Sequence, residues 1–229
     1  MALPDFSLLS TEKFRKHMRP YAEEIYKRIW PGCQVKDLRE HGVAVHILDK
    51  NFGIDTLTEF PSGQWISIQE KYRNYRVLLR GDLKVNPPYP DFTQEYINAE
   101  GTKYESPGEW FNLGAQIYFY GWANEIETDF AAWLLMDIAK YKLLIEDIGG
   151  LATVGRYYKN RTYGRASFYA IPIYKLEPAI IYCQGLKPFC DWKDNIRSGT
   201  FKTTHMKEFA KPEVNLIAQM KWTTKILNK

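Results

Sequence analysis

The chain has 229 residues, 45% of them hydrophobic and 25% charged, the balance of a folded protein with one domain and elaborations, or one domain and an appendage. Its net charge of +4 hides an asymmetry: residues 1–149 carry 17 Lys and Arg against 22 Asp and Glu, whereas residues 150–229 carry 14 against 5. No apolar run approaches the ~18 residues of a membrane span, so no membrane partner is expected. The opening Met1–Phe6 lacks the basic-then-apolar layout of a signal peptide, and Cys33, Cys183 and Cys190 are an odd, sparse set. Both point to a reduced intracellular compartment, the cytoplasm or the nucleoid or nucleus. Cys183 and Cys190 lack zinc-pair spacing and the four histidines are scattered, which argues against a zinc site. The basic final third suggests a polyanion-binding surface, against the plainer reading of a solvated lysine-rich face.

In chain order, Ser10 is placed to cap a helix from Thr11 to about Ile29, with Phe14, Met18, Tyr21, Ala22, Ile25 and Ile29 on one stripe. Pro31-Gly32 ends it. Glu23 falls opposite the stripe and Glu24 at its edge, where a carboxylate looks into a cleft beside the core. Val43–Leu48 reads as a first strand, followed by a hairpin that turns at Pro61-Ser62-Gly63. Prolines and glycines then punctuate an irregular insertion at about 81–108. Glu109–Ala115 reads as a short helix and Gln116–Trp122 as a strand. Thr128 is read as the cap of a helix through Phe130, Trp133, Ile138, Tyr141 and Ile148, closed by Gly149-Gly150. Phe168–Cys183 reads as two strands interrupted at Pro172 and Pro178, and the tail from Lys187 is weakly patterned.

The hairpin carries the chemistry. Asp55 heads one strand and Gln69-Glu70-Lys71 closes the next. Strand alternation puts Gln69 and Lys71 on one face and Glu70 on the other, with Ile66 and Ile68. Pairing brings Asp55, Gln69 and Lys71 together at the strand ends. An oxygen ligand beside an amine is the minimum equipment for holding Mg²⁺ against a phosphodiester and positioning a water to attack it.

Asp55, separated by thirteen residues from Gln69-Glu70-Lys71 and behind a helix carrying Glu24, resembles the PD-(D/E)XK nuclease superfamily. The resemblance covers about residues 10–147. It is closest to the variety with Gln for the second acid, as in Mrr-type restriction nucleases and some relatives of the archaeal Holliday-junction resolvases. It implies an α/β fold, a central mixed sheet flanked by helices: a restriction-endonuclease-like core over 1–150 and a basic, Tyr-rich extension over 151–229. It also implies cleavage of DNA with Mg²⁺, for which Mn²⁺ substitutes. By position, Asp55, Gln69 and the Glu70 backbone carbonyl would bind metal, Glu24 would complete the coordination, and Lys71 would orient the water and offset charge on the phosphate. Two departures stand out. Ile54 replaces the family's proline, and Glu70 occupies a usually apolar position. Either that face is open, or a bulge turns Glu70 toward the metal in place of Gln69.

For the substrate, Arg73, Arg76 and Arg80 form a basic rail if their segment turns helical. Arg156, Tyr158, Lys159, Arg161 and Arg165 interleave cations with rings suited to phosphate and base. Cutting two strands implies two active sites, hence a homodimer or higher oligomer. The alternative is a nuclease fold that binds nucleic acid or protein without cutting, favoured by the neutral Gln69 and charged Glu70.

Overall fold

A long amphipathic helix opens the fold. α1 (Phe6–Ile29) buries Met18, Ala22, Ile25, Tyr26 and Ile29 at helical spacing, and Gly32 ends it with a left-handed φ of 81°. The computed structural model describes residues 6–38, 48, 51–74, 91–159 and 166–186. Within them the chain is a mixed α/β protein with a mixed central sheet and a few helices. None of the described helices is long and apolar enough to cross a membrane.

β1 (Gln34–Asp37), β2 (Thr56–Glu59) and β3 (Trp65–Arg73) make an antiparallel meander, with Thr56 opposite Ile68. The hairpin closes where the Phe60 N–H donates to the Gln64 carbonyl at 2.8 Å, and Gly63 supplies the positive φ of 79° that the turn requires. A second group follows: β4 (Asp91–Asn98), β5 (Ser106–Pro107) and the short helix α2 (Glu109–Asn112). β6 (Ile117–Ala123) then pairs parallel to β3, and β7 (Phe130–Asp137) pairs antiparallel to β6. α3 (Ile138–Asp147), capped by the Asp137 carboxylate on the Lys140 N–H, and α4 (Leu151–Val154) lead to β8 (Arg156–Tyr158). β9 (Ser167–Pro172), a 3₁₀ turn over Ile173–Ala179 and β10 (Ile180–Gln184) complete the described chain. The main sheet runs β1-β2-β3-β6-β7-β10 and the second β5-β4-β9-β8.

The main sheet is buried on both faces. Ile117 and Phe119 of β6, with Trp133 and Leu135 of β7, pack against α1. Tyr118, Tyr120, Trp122, Leu134 and Met136 face the second sheet and α3, around Phe92 and Tyr141. That two-sided burial explains one correction. The run expected as a helix from a Thr128 cap is strand β7 as far as Asp137, and only the part from Ile138 is helical. A strand apolar on both faces lacks the alternation that distinguishes strand from helix.

A second correction concerns the insertion at 81–108: its latter part holds β4 and β5, and β4 pairs with β9 across most of its length. β1 is a strand where none was expected, whereas the strand expected over Val43–Leu48 lies, but for Leu48, outside the described residues. The two strands read around Pro172 and Pro178 are β9 and β10, separated by the 3₁₀ turn.

Candidate functional site

β3 presents Gln69, Lys71 and Arg73 on one face and Glu70 and Tyr72 on the other, and the two faces have different surroundings. On the α1 side the Glu70 carboxylate is fully engaged. Its Oε1 accepts from Arg19 Nη1 at 2.6 Å and from the Tyr26 and Thr56 hydroxyls at 2.9 Å, and its Oε2 accepts from the Tyr72 hydroxyl at 2.6 Å. Arg19 also pairs with Asp37, which binds Arg15, and Arg15 in turn binds Glu12. Burial, reinforced by the Glu70 charge, pushes the Tyr26 and Tyr72 hydroxyls well above their ordinary range. The β3 pairings run through Glu70 without a register shift, so no bulge turns this carboxylate toward Gln69. Its charge is compensated inside the core.

The other face is the candidate site. Continuing the β2–β3 register sets Asp55 opposite Gln69. Asp55 is fully buried, and its Oδ2 accepts the Glu70 N–H at 2.7 Å, which fixes the carboxylate at the strand junction. Gln69 is 8% exposed and its Oε1 has no hydrogen-bond partner among the described residues. Such an atom is costly to bury unless a ligand or water completes it. The chain at Gly53, φ +55°, passes so close that a Cβ would sit 2.9 Å from that oxygen.

Lys71 Nζ donates to Glu95 Oε1 at 2.9 Å and to Glu109 Oε2 at 3.2 Å. Burial, the largest single influence, works to lower its ammonium pKa, but Glu109 and Glu95 outweigh it and hold the group above its ordinary value. Lys71 is therefore a fixed positive charge at neutral pH. Glu109 is anchored further by Gln94 Nε2 at 3.1 Å and the Tyr118 hydroxyl at 2.8 Å. Arg73 donates to the Tyr120 hydroxyl at 2.8 Å and to Thr93 Oγ1.

A cleft of about 370 Å³ opens along the end of β3. Glu12 and Arg15 of α1, Glu95 and Asn98 of β4, Glu109 and Asn112 of α2, and Gly53 wall it around Gln69, Lys71 and Arg73. Around the end of the strand the lining also takes in Phe14, Glu70 and Tyr72 from the α1 side, so it holds four acids and three bases and is polar and nearly balanced in charge.

Of the residues singled out in sequence, Gln69, Lys71, Arg73 and the chain at Glu70 meet in this cleft, with Asp55 buried at its base strand. Glu24 does not join them: it is exposed, and the α1 carboxylate lining the cleft is Glu12. Arg73 belongs to a strand and not to a helical rail, and Arg76, Arg80, Arg161 and Arg165 lie outside the described residues. Arg156, Tyr158 and Lys159 sit at the exposed edge of the second sheet, away from the cleft lining. There Arg156 lies 5.3 Å over the Tyr158 ring, which stacks on Phe168, and Lys159 pairs with Glu100 at 3.3 Å. Glu12, Glu95 and Glu109 were missed. For Glu109 the available signal was an acid in the first turn of a helix after Pro107-Gly108, and Glu95 gave none before β4 was recognised.

A second cavity, about 310 Å³, lies between α3, α4 and the Tyr96–Tyr169 ring pair. Its Lys142 donates to the Leu113 carbonyl at 2.6 Å, and burial pushes the amine down to about 8.

Among the described residues no group of three or more His, Cys, Asp or Glu side chains is placed to hold a metal ion. Compared with protein-family models, curated proteins and solved structures, the chain matches none.

Proposed function

We propose that this protein is a Mg²⁺-dependent DNA endonuclease built on a restriction-endonuclease-like core. One observation carries the reading: the buried, unpartnered Oε1 of Gln69, a residue that lines the cleft with Lys71 and lies across the strand register from Asp55. The oxygens assigned to the cation on this reading are the Asp55 carboxylate, the Gln69 amide oxygen and the Glu70 main-chain carbonyl. They fit a hard divalent cation, which takes oxygen ligands and keeps waters of its own. Bound Mg²⁺ supplies an acidified water and withdraws charge from the phosphoryl oxygens.

The chain's own groups have separate parts. Asp55, held by the Glu70 N–H, contributes the negative charge that attracts the cation. Gln69 contributes a neutral oxygen, which leaves the site less negative than a second carboxylate would. Lys71, kept protonated by its two carboxylates, stabilises charge building on the phosphate in the transition state and is not the base. The exposed Arg156–Lys159 edge is assigned to the DNA backbone away from the cut. Two strands are cut by two copies of the chain.

Incubating supercoiled, linear and branched DNA with Mg²⁺, Mn²⁺ or EDTA tests the reading. Metal-dependent cutting is expected, and its loss in Asp55→Ala and Lys71→Ala. Cutting that survives both substitutions overturns the site. Binding without cutting on every substrate favours the second reading, a non-cleaving binding module. The engagement of Lys71 by Glu95 and Glu109 is the observation on that side.

A further inference from the structure

The carboxylates on Lys71 are not equivalent. Glu109 is 13% exposed and receives three donors, Lys71, Gln94 and the Tyr118 hydroxyl. Glu95 is 35% exposed, receives Lys71 alone among the described side-chain donors, and lines the cleft. The charges pulling its carboxyl below the ordinary range are Lys71 first and Arg73 after it, against the opposing effect of burial. Its backbone is also unusual, because the β4–β9 ladder shifts register between Glu95 and Ile97. Irregularities of this kind re-aim a side chain and occur beside functional sites.

We propose that the Glu95 carboxylate occupies the place on Lys71 that a phosphate oxygen of the substrate takes. The cleft is thus an anion site closed by an internal mimic. Carboxylate and phosphate oxygens bind the same cations with similar charge-assisted hydrogen bonds. An entering phosphodiester replaces one such bond, and Glu95 swings to the water it already meets. Glu109 stays in place and keeps Lys71 protonated and aimed. The inference rests on the hydrolase reading only for the identity of the anion as a DNA phosphodiester.

Binding measured in EDTA tests it without any cleavage. A short fluorescein-labelled oligodeoxynucleotide is followed by anisotropy, and inorganic phosphate by calorimetry. Glu95→Gln keeps the shape and removes the charge. It is expected to bind the oligonucleotide about tenfold more tightly than wild type, the scale of one charge-assisted contact. The gain disappears in Lys71→Met/Glu95→Gln, and Glu109→Gln gives none. Unchanged or weaker binding by Glu95→Gln, or a gain that survives Lys71→Met, overturns the proposal. A gain for the oligonucleotide assigns the site to a phosphodiester, and a gain for inorganic phosphate alone assigns it to free phosphate; both support the mimic. Tighter binding by Glu95→Gln without cutting in Mg²⁺ rejects the nuclease and keeps the mimic. Cutting by wild type without that tightening does the reverse.

Discussion

Arg19 Nη1 and Glu70 Oε1 lie 2.6 Å apart, joining α1 to β3 with side chains only 9% and 1% exposed. Breaking such a pair from one side leaves an uncompensated buried charge, which costs about 3–5 kcal/mol. Arg19→Met is therefore expected to lose that much in urea unfolding. Arg19→Met/Glu70→Gln is expected to recover most of it, because the Tyr26 and Thr56 hydroxyls still donate to the amide oxygen and the Tyr72 hydroxyl, now beside the amide nitrogen, turns to accept its N–H. A single variant as stable as wild type would remove this pair from the account of why α1 docks.

Gly53→Ala tests the cradle around Gln69. The left-handed φ of +55° disfavours any side chain, and the new Cβ meets Gln69 Oε1 at 2.9 Å. A stability loss of about 1–2 kcal/mol is expected. Metal-dependent cleavage is expected to fall by more than tenfold as the amide is displaced. Full cleavage by a destabilised variant shows that the position of Gln69 does not matter to the chemistry.

Lys142 gives an alkaline signature. Burial depresses its amine from 10.5 to about 8, so between those values the unfolded chain binds more protons than the folded one. Stability from this group accordingly rises with pH across that window. Lys142→Met is expected to be about 1–2 kcal/mol more stable than wild type at pH 7, after discounting for solvent near the ammonium. That advantage is expected to vanish by about pH 10. Equal pH slopes for the two proteins in denaturant titrations would contradict it.

Glu95 gives an acid signature of opposite sense. Its carboxyl lies below its ordinary 4.5 because Lys71 stabilises the charged form. That contribution is complete above 4.5 and is lost as pH falls through the lowered value. Thermal unfolding from pH 6 downward is expected to be steeper for wild type than for Glu95→Gln. Parallel curves would mean that the pair seen in the structure is not formed in solution.

Much of the framework was legible because its signals are local. The Met18–Ile29 stripe and Pro31-Gly32 mark α1 and its end, and Pro61-Ser62-Gly63 marks the β2–β3 turn. Alternation along β3 is enough to separate Gln69 and Lys71 from Glu70. What escaped depends on pairings distant in sequence. β4 carries Gln94 and Glu95 among its apolar residues and follows a proline-rich stretch, and its partner β9 lies beyond α4. The pairing with that partner runs through Glu95. Glu70 looked unexplained because its cation sits on α1, although an arginine beside Met18 on a buried helix face is itself a sign that an acid waits opposite. Glu24 was misplaced for the same reason. An edge position on a helix says how far a side chain is from the core, not which end of the sheet it overlooks.

The pairing of Phe92 with Ile171 has a consequence for how the protein is made. During synthesis β4 leaves the ribosome long before β9 exists to cover its edge, and an unpaired strand edge is a template for association with other chains. The wall of the cleft that carries Glu95 is completed only when residue 172 has emerged. A nascent or truncated chain ending before Ser167 therefore holds the Asp55–Lys71 hairpin but lacks the strand that pairs with β4 through Glu95. On the mimic proposed above, the carboxylate that closes the anion site therefore sits on a strand whose pairing is supplied by one of the last described segments to be synthesised.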